Sequence, residues 1–513
     1  MTNVSAKALR TTRIILATVS ILAVTLLFLD FTGTIHAYLG WMAKIQFLPA
    51  LLALNFGVIA ALIVLTLLFG RIYCSVICPL GILQDVFAWL GRRGKKNRLK
   101  YSWSPEKKWL RYTMLAVMIV AWIAGLGALV ALLAPYSAYG RIVQSLLAPV
   151  WAWGNNLFAR WAEHAGSYAF YTTDVWLKGL STLIVAVVTL VTLAVLAWRN
   201  GRTYCNTICP VGTVLSFFSR FAMFRPVIDA EKCKNCKVCE RRCKASCIHI
   251  GEHKIDYSRC VDCFDCLDSC KFGALKYRYA WGKEIPGQAR NDEEQVHNDK
   301  GQVRNDGKGR RAFLAGAAIA AGTATLQAQE KKVDGGLAVI IDKKKPVRQR
   351  AIVPPGARSL KHFAQHCTAC QLCVSVCPNG VLRPSTDLKT LMQPESSYER
   401  GYCRPECNKC AQVCPAGAIE KITVEQKSSI QIGHAVWVKE NCLAAKGRKC
   451  DNCAHHCPAG AIQMVETEID GKSRRIPVVN EARCIGCGAC ENLCPARPYS
   501  GIYVEGNTIH NEI

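Results

Sequence analysis

Between Cys367 and Cys494 the chain carries four successive cysteine quartets. The first, Cys367-x2-Cys370-x2-Cys373-x3-Cys377-Pro, and the last, Cys484-x2-Cys487-x2-Cys490-x3-Cys494-Pro, are regular. Three thiolates on one tight loop and a fourth just before a proline are the ligand spacing of a [4Fe–4S] cube. The middle two, Cys403-x3-Cys407-x2-Cys410-x3-Cys414-Pro and Cys442-x7-Cys450-x2-Cys453-x3-Cys457-Pro, stretch only the first gap. A looser first ligand still reaches a cube. Zinc and disulfides are the plain alternatives, but zinc sites rarely carry the x3-Cys-Pro ending, and four tandem copies argue against coincidence.

Two more runs precede these: Cys233, Cys236, Cys239 and Cys243, then Cys260, Cys263, Cys266 and Cys270. In paired runs the fourth cysteine of each ligates the other cluster. Cys233, Cys236, Cys239 and Cys270 are therefore expected around one cube, and Cys260, Cys263, Cys266 and Cys243 around the other. Applied to the four later runs, the same exchange allows sequential or nested pairing. Both outer runs are regular and both inner runs stretched, so nesting is expected. Cys494 then joins Cys367, Cys370 and Cys373, and Cys377 joins Cys484, Cys487 and Cys490. Likewise Cys457 joins Cys403, Cys407 and Cys410, while Cys414 joins Cys442, Cys450 and Cys453.

An internal duplication adds a third kind of motif. Gly70-Arg71-Ile72-Tyr73-Cys74-x3-Cys78-Pro79 recurs as Gly201-Arg202-Thr203-Tyr204-Cys205-x3-Cys209-Pro210. Cysteines four apart share one face if helical, although the proline also permits a first-turn or loop geometry. Three readings stand open: structural thiols, a redox-active dithiol, or a seventh cluster gathering Cys74, Cys78, Cys205 and Cys209. The quartets and these pairs account for all 29 cysteines but Cys247, which reads as a packed thiol.

The segments that must position these motifs are apolar. Runs at about Ile14–Leu29, Ala50–Phe69, Leu110–Ala134 and Leu180–Trp198 approach the length that crosses a bilayer. Four spans are expected, with Trp41, Trp109, Trp151, Trp153, Trp176 and Trp198 near their ends. Lys7, Arg10, Arg13 and the basic stretch Arg92–Lys108 place the N-terminus and the connection between spans two and three in the cytoplasm. Thr32–Pro49 and Pro135–Gly179 then face outward, with Arg141–Trp153 as a short helix along the outer surface. A net charge of +27 suggests nucleic acid, but no such motif occurs and much of the basic excess flanks apolar runs, so membrane lipid is the expected partner. No histidine falls inside a span and Cys-x-x-Cys-His does not occur, so no haem is expected. Nor is there a phosphate-binding loop or nucleophile elbow.

From Gly282 to Gly309 the chain is polar and repeats every seven residues, as in Gln288-Ala-Arg-Asn-Asp, Gln295-Val-His-Asn-Asp and Gln302-Val-Arg-Asn-Asp, which reads as a disordered linker. Arg310-Arg311-Ala-Phe-Leu and the weakly apolar run after it are similar to a twin-arginine export signal inside the chain.

Residues up to about Lys283 resemble the NapH-type membrane ferredoxins. Residues from about Gly309 resemble the NapG/MauM-type ferredoxins, down to the unusual run Cys442-Leu-Ala-Ala-Lys-Gly-Arg-Lys-Cys450-Asp-Asn-Cys453. The fold class implied is mixed: an α-helical four-span membrane bundle plus α+β bacterial-ferredoxin-like domains. The expected order is membrane domain 1–220, two-cluster domain 221–281, linker 282–309, signal and apolar segment 310–330, and four-cluster domain 331–513. Residues 199–309 are expected in the cytoplasm and 331–513 in the periplasm, with six [4Fe–4S] clusters in all. The resemblance implies electron transfer from membrane quinol to a periplasmic redox partner, in the manner of a quinol dehydrogenase component. The other reading is a maturation factor that supplies reducing equivalents through the Cys-x3-Cys pairs.

Overall fold

The computed structural model describes residues 6–93, 101–167, 170–173, 175–280, 333–334, 338–339, 342–469 and 471–512. The whole expected repeat linker and the whole Arg310-Arg311 segment lie outside the described residues.

Two of the apolar runs form long continuous helices, Ala6–Leu29 and Leu180–Asn200, each long and apolar enough to cross a membrane. Only 28% and 22% of their apolar windows are buried inside the structure. Ile15, Val19, Ile184 and Val188 stand more than half exposed. The other two expected spans are broken. Asn55 caps the Phe56–Phe69 helix by accepting from the Val58 N–H at 3.3 Å, and Leu54, with φ of +53°, separates it from Phe47–Leu52. Lys108–Ile123 ends before Gly125, at φ +71°, and the chain resumes as Gly127–Leu133. At about 1.5 Å per residue, helices of 14 and 16 residues fall short of a hydrocarbon core about 30 Å thick. The expected surface helix is also corrected. The chain is helical from Pro135 through His164 by way of a π turn, but Arg141 is fully buried and donates to the Ala131 carbonyl at 2.8 Å. Only the later part, with Trp151, Trp153 and Trp161, is exposed.

The helices join two cysteine-rich modules at opposite ends. At one end Arg10 reaches Asp265 and Asp268, the Tyr277 hydroxyl donates to the Phe69 carbonyl, and Arg111 donates to the Ser258 carbonyl. At the other end Lys409 donates to the Thr32 carbonyl at 3.0 Å and Lys178 to the Val374 carbonyl at 3.3 Å. In the first module Phe224–Ile228 pairs antiparallel with Leu275–Tyr279, and Ile248–His249 with Lys254–Ile255. The second has three antiparallel pairs: Leu382–Pro384 with Pro394–Ser396, Ile430–Trp437 with Ile502–Glu512, and Ile462–Ile469 with Lys472–Val479. Short helices carry the third cysteine of each run.

The duplicated glycines anchor the helices on the first module. Gly70 and Gly201 end their helices at φ of +74° and +70°. An added Cβ would lie 2.2 Å from Asp262 Oδ2 at Gly70 and 2.3 Å from the Lys244 carbonyl oxygen at Gly201, so both positions exclude any side chain. Between them sits a buried ion cluster. Asp85 accepts from Arg13 and Arg202 at 2.7 Å each and from Lys244 at 2.9 Å. Burial would raise its carboxyl pKa, but the charges of Arg202 and Lys244 hold it far below the usual range. At Asp265 burial is likewise overcome by Lys244 and Arg92, which hold the carboxyl at about 2. Replacing Asp85 by Asn leaves three buried cations with one carboxylate fewer. Such losses cost about 3–5 kcal/mol, and we expect a matching fall in resistance to chemical denaturation, read by tryptophan fluorescence.

Candidate functional site

In each regular run the backbone turns left-handed on both sides of the second cysteine. φ is +49° and +56° at Asn235 and Lys237, +46° and +61° at Asp262 and Phe264, +51° and +70° at Ala369 and Gln371, and +72° and +78° at Gly486 and Gly488. Alternating handedness turns successive N–H groups toward one side, a concavity that favours anions. Gly488 is demanded twice over, since a Cβ there would lie 2.2 Å from the Tyr398 ring. The stretched runs lack this turn: Asn408 and Asp451 keep φ at −120° and −132°.

The thiols assemble in fours. Cys233, Cys236, Cys239 and Cys270 line one cavity, and Cys243, Cys260, Cys263 and Cys266 a second. Cys247 is buried in the wall of the second, its sulfur 3.5 Å from that of Cys243, as a packed thiol would be. Among the described residues no three Cys, His, Asp or Glu side chains converge on a point fit for one metal ion. A zinc site would need that convergence, with Zn–S of about 2.3 Å. Thiols spread around a cavity fit a cube instead.

In the second module the nested pairing is overturned. Cys414 stands with Cys367, Cys370 and Cys373, and Cys377 with Cys403, Cys407 and Cys410. Cys442, Cys450, Cys453 and Cys494 line a third cavity, and Cys457, Cys484, Cys487 and Cys490 a fourth. The reason lies between the runs. A strand pair folds the chain back between the first and second runs, and another between the third and fourth, so each returns onto its neighbour. The middle connection is spent on Ile430–Trp437, which pairs with the C-terminal strand and carries the third run away from the second. The two halves meet where the Cys403 N–H donates to the Cys487 carbonyl at 2.9 Å. A cumulative variant tests this grouping. Replacing Cys403, Cys407 and Cys410 by Ser removes one cube's iron, and adding Cys377→Ser is expected to remove none further. Iron loss from a second cube would restore the nested order.

The duplicated motifs also come together. Cys74, Cys78, Cys205 and Cys209 are all buried, and the four thiols lie within electrostatic reach of one another. Proline at the first helical position starts Pro79–Leu90 and Pro210–Ser219, making Cys78 and Cys209 their N-caps. Two arginines cross the pseudo-twofold axis. Arg71 Nη2 donates to the Cys205 carbonyl at 3.2 Å and Arg202 Nη1 to the Cys74 carbonyl at 2.7 Å. Gly81 and Gly212 admit them, since a Cβ would lie 2.2 and 2.3 Å from those same carbonyl oxygens. Gln84 Nε2 lies 3.1 Å from Cys205 Sγ. Arg71 is fully buried, bonds only Asn206 Oδ1, the Ser258 carbonyl, the Cys205 carbonyl and, weakly at 3.9 Å, Cys74 Sγ, and leaves Nε without a partner among the described residues. Sequence reading found these thiols but not the arginines, whose signal was their repetition beside each Tyr-Cys pair.

The molecule is thus built from ferredoxin-type iron–sulfur modules. Family models described as 4Fe-4S dicluster domains match residues 366–419, 446–497 and 256–381, and one described as a 4Fe-4S binding domain matches 51–98 and 182–227. The methylamine utilization ferredoxin-type protein MauM of Paracoccus denitrificans is 38% identical over 194 residues, covering 36% of this chain and 82% of that protein. The ferredoxin-type protein NapG of Escherichia coli is 34% identical over 203 residues, covering 36% and 81%. An uncharacterized protein of Methanocaldococcus jannaschii, MJ0749, is 28% identical over 221 residues, covering 42% and 67%. No solved structure matches. The chain belongs to the NapG/MauM family of ferredoxin-type proteins, and it is an iron–sulfur electron-transfer protein.

Proposed function

We propose that the chain is a membrane-bound conduit that takes electrons from quinol and delivers them to a soluble redox partner on the outer side. The observation that carries this reading is that both modules gather thiols in fours and that four more buried thiols stand where the helices meet the first module. Six [4Fe–4S] cubes would be held by the six ferredoxin quartets. A seventh at Cys74, Cys78, Cys205 and Cys209 would bring a net negative charge to Arg71 and Arg202. Its position is a bridging one: the adjoining Pro135–Ile142 helix touches the Cys370 loop, where a Cβ on Gly140 would lie 2.4 Å from the Cys370 carbonyl oxygen. When bound, the clusters supply one-electron carriers. The chain's own part is to space them, exclude water and balance their charge.

Membrane insertion is supported by the exposed apolar faces of Ala6–Leu29 and Leu180–Asn200. In this reading the broken Phe47–Phe69 and Lys108–Leu133 segments complete a four-span domain within 1–220. The opposite placement of the two modules agrees with residues 199–309 lying in the cytoplasm and 331–513 in the periplasm, the second exported by way of Arg310-Arg311. The maturation reading needs working thiols, whereas disulfide exchange requires access that these buried thiols lack.

Full-length protein in liposomes, mixed with a reduced quinone under anaerobic conditions, tests the conduit. Bleaching of cluster absorbance on a turnover timescale is expected; intact clusters that stay oxidised would sink it. Replacing Cys74, Cys78, Cys205 and Cys209 by Ser is expected to remove one cube's iron and to leave the two-cluster module out of redox contact with the outer row.

A further inference from the structure

Where the outer ends of the helices meet the second module they enclose a cavity of about 540 Å³. Pockets that hold a small organic ligand run from about 300 to 1,000 Å³. One wall is the Cys377 loop; the others come from the ends of the two long helices and from the exposed Ala148–His164 helix. Trp151 and Trp176 line it. The guanidinium groups of Arg383 and Arg400 both lie 4.8 Å from the Trp176 ring, which fixes that wall.

Two polar groups in this wall are incompletely used. Lys178 Nζ donates to Gln144 Oε1 at 3.1 Å and to the Val374 carbonyl at 3.3 Å, and an ammonium has three N–H bonds. Four residues on, Thr182 is 3% exposed, and its hydroxyl has no partner among the described residues. A buried donor left unmade costs about 1–3 kcal/mol, so Thr182 points to an oxygen-bearing ligand, with the half-buried Lys178 in the same wall. The apolar faces of Ala6–Leu29 and Leu180–Asn200 lead up to the cavity, and a cluster cysteine closes its far side. A ligand here would carry an apolar tail, a flat ring to lie against tryptophan, an oxygen for the lysine, and electrons for the cube.

We propose that this cavity is the quinol-binding site, with Lys178 donating to one ring oxygen and the cube of Cys377, Cys403, Cys407 and Cys410 as first electron acceptor. This rests on the quinol reading above and adds the place of entry. One quinol would give up two electrons and two protons: a cube held by Cys377, Cys403, Cys407 and Cys410 would take the electrons one at a time and pass them onward, the protons would leave to water, and quinone would remain. Lys178 and Gln144 orient the ring and Trp176 flanks it, so the chain supplies position and a hydrogen-bond donor.

The test uses full-length protein in detergent with an azido-naphthoquinone photolabel and, separately, menadione binding followed by tryptophan quenching. In the wild type, label is expected on peptides containing Trp151 or Lys178. Lys178→Met is expected to weaken menadione about tenfold or more, the scale of one lost charge-assisted hydrogen bond. Ala152→Trp, which fills the cavity from the surface helix, should abolish labelling there. Both variants should keep wild-type iron content, and Thr182→Val, expected to weaken binding less, provides a second reading if either fails to fold. Label confined to other peptides, or wild-type menadione affinity in both Lys178→Met and Ala152→Trp with full iron content, would overturn the site. The quinol reading fails separately, if reduced quinone cannot bleach the wild-type clusters.

Discussion

Each quartet draws its fourth thiol from the neighbouring run, and much of the molecule exists to make that exchange possible. Three thiols on one loop are local and cost little to arrange. The fourth has to come from elsewhere, so two stretches of chain must be held face to face across a cavity. In the two-cluster module the Phe224–Ile228 and Leu275–Tyr279 strands close the ends of the sequence around both cavities. In the larger module the hairpins between successive runs do the same work twice, and the long pairing of Ile430–Trp437 with Ile502–Glu512 binds the halves together. Little conventional core is needed, because cysteines and small apolar residues fill the space around the cavities.

The four thiols of the duplicated motif obey the same rule by a different route. Here each repeat supplies two thiols and one arginine, and the arginine serves the other repeat. Breaking the symmetry therefore damages both halves at once. The same crossing explains why glycine stands at Gly81 and Gly212: the guanidinium group and the facing carbonyl oxygen occupy the space a side chain would need. Asp85, with no acidic counterpart in the second repeat, ties this assembly to the helix that begins at Ala6 and to Lys244 of the first module. A cluster-bearing module is thereby locked to the helix ends by charge as well as by packing.

The cavity beneath Cys377 belongs to neither module alone. Its walls come from segments more than two hundred residues apart, and its polar groups are left short of partners only because helix ends and module meet at that place.

What the sequence determined by itself was the chemistry and its local geometry. Spacing marked the cysteine quartets, because three thiols on one loop and a cysteine before proline are properties of short segments. Apolar length marked the two continuous helices. It did not show where the other two runs break, since hydropathy does not register Asn55 as a cap or Gly125 as a break. Pairing in the larger module was beyond its reach: regular and stretched runs look alike to spacing, and the decision rests with hairpins that return the chain onto its neighbour. Only tertiary structure brought Arg71 and Arg202 across to each other's cysteines, and only it placed Lys178 beside a cluster cysteine 199 positions away. Such contacts join distant segments, and nothing in the local pattern of either segment records the other.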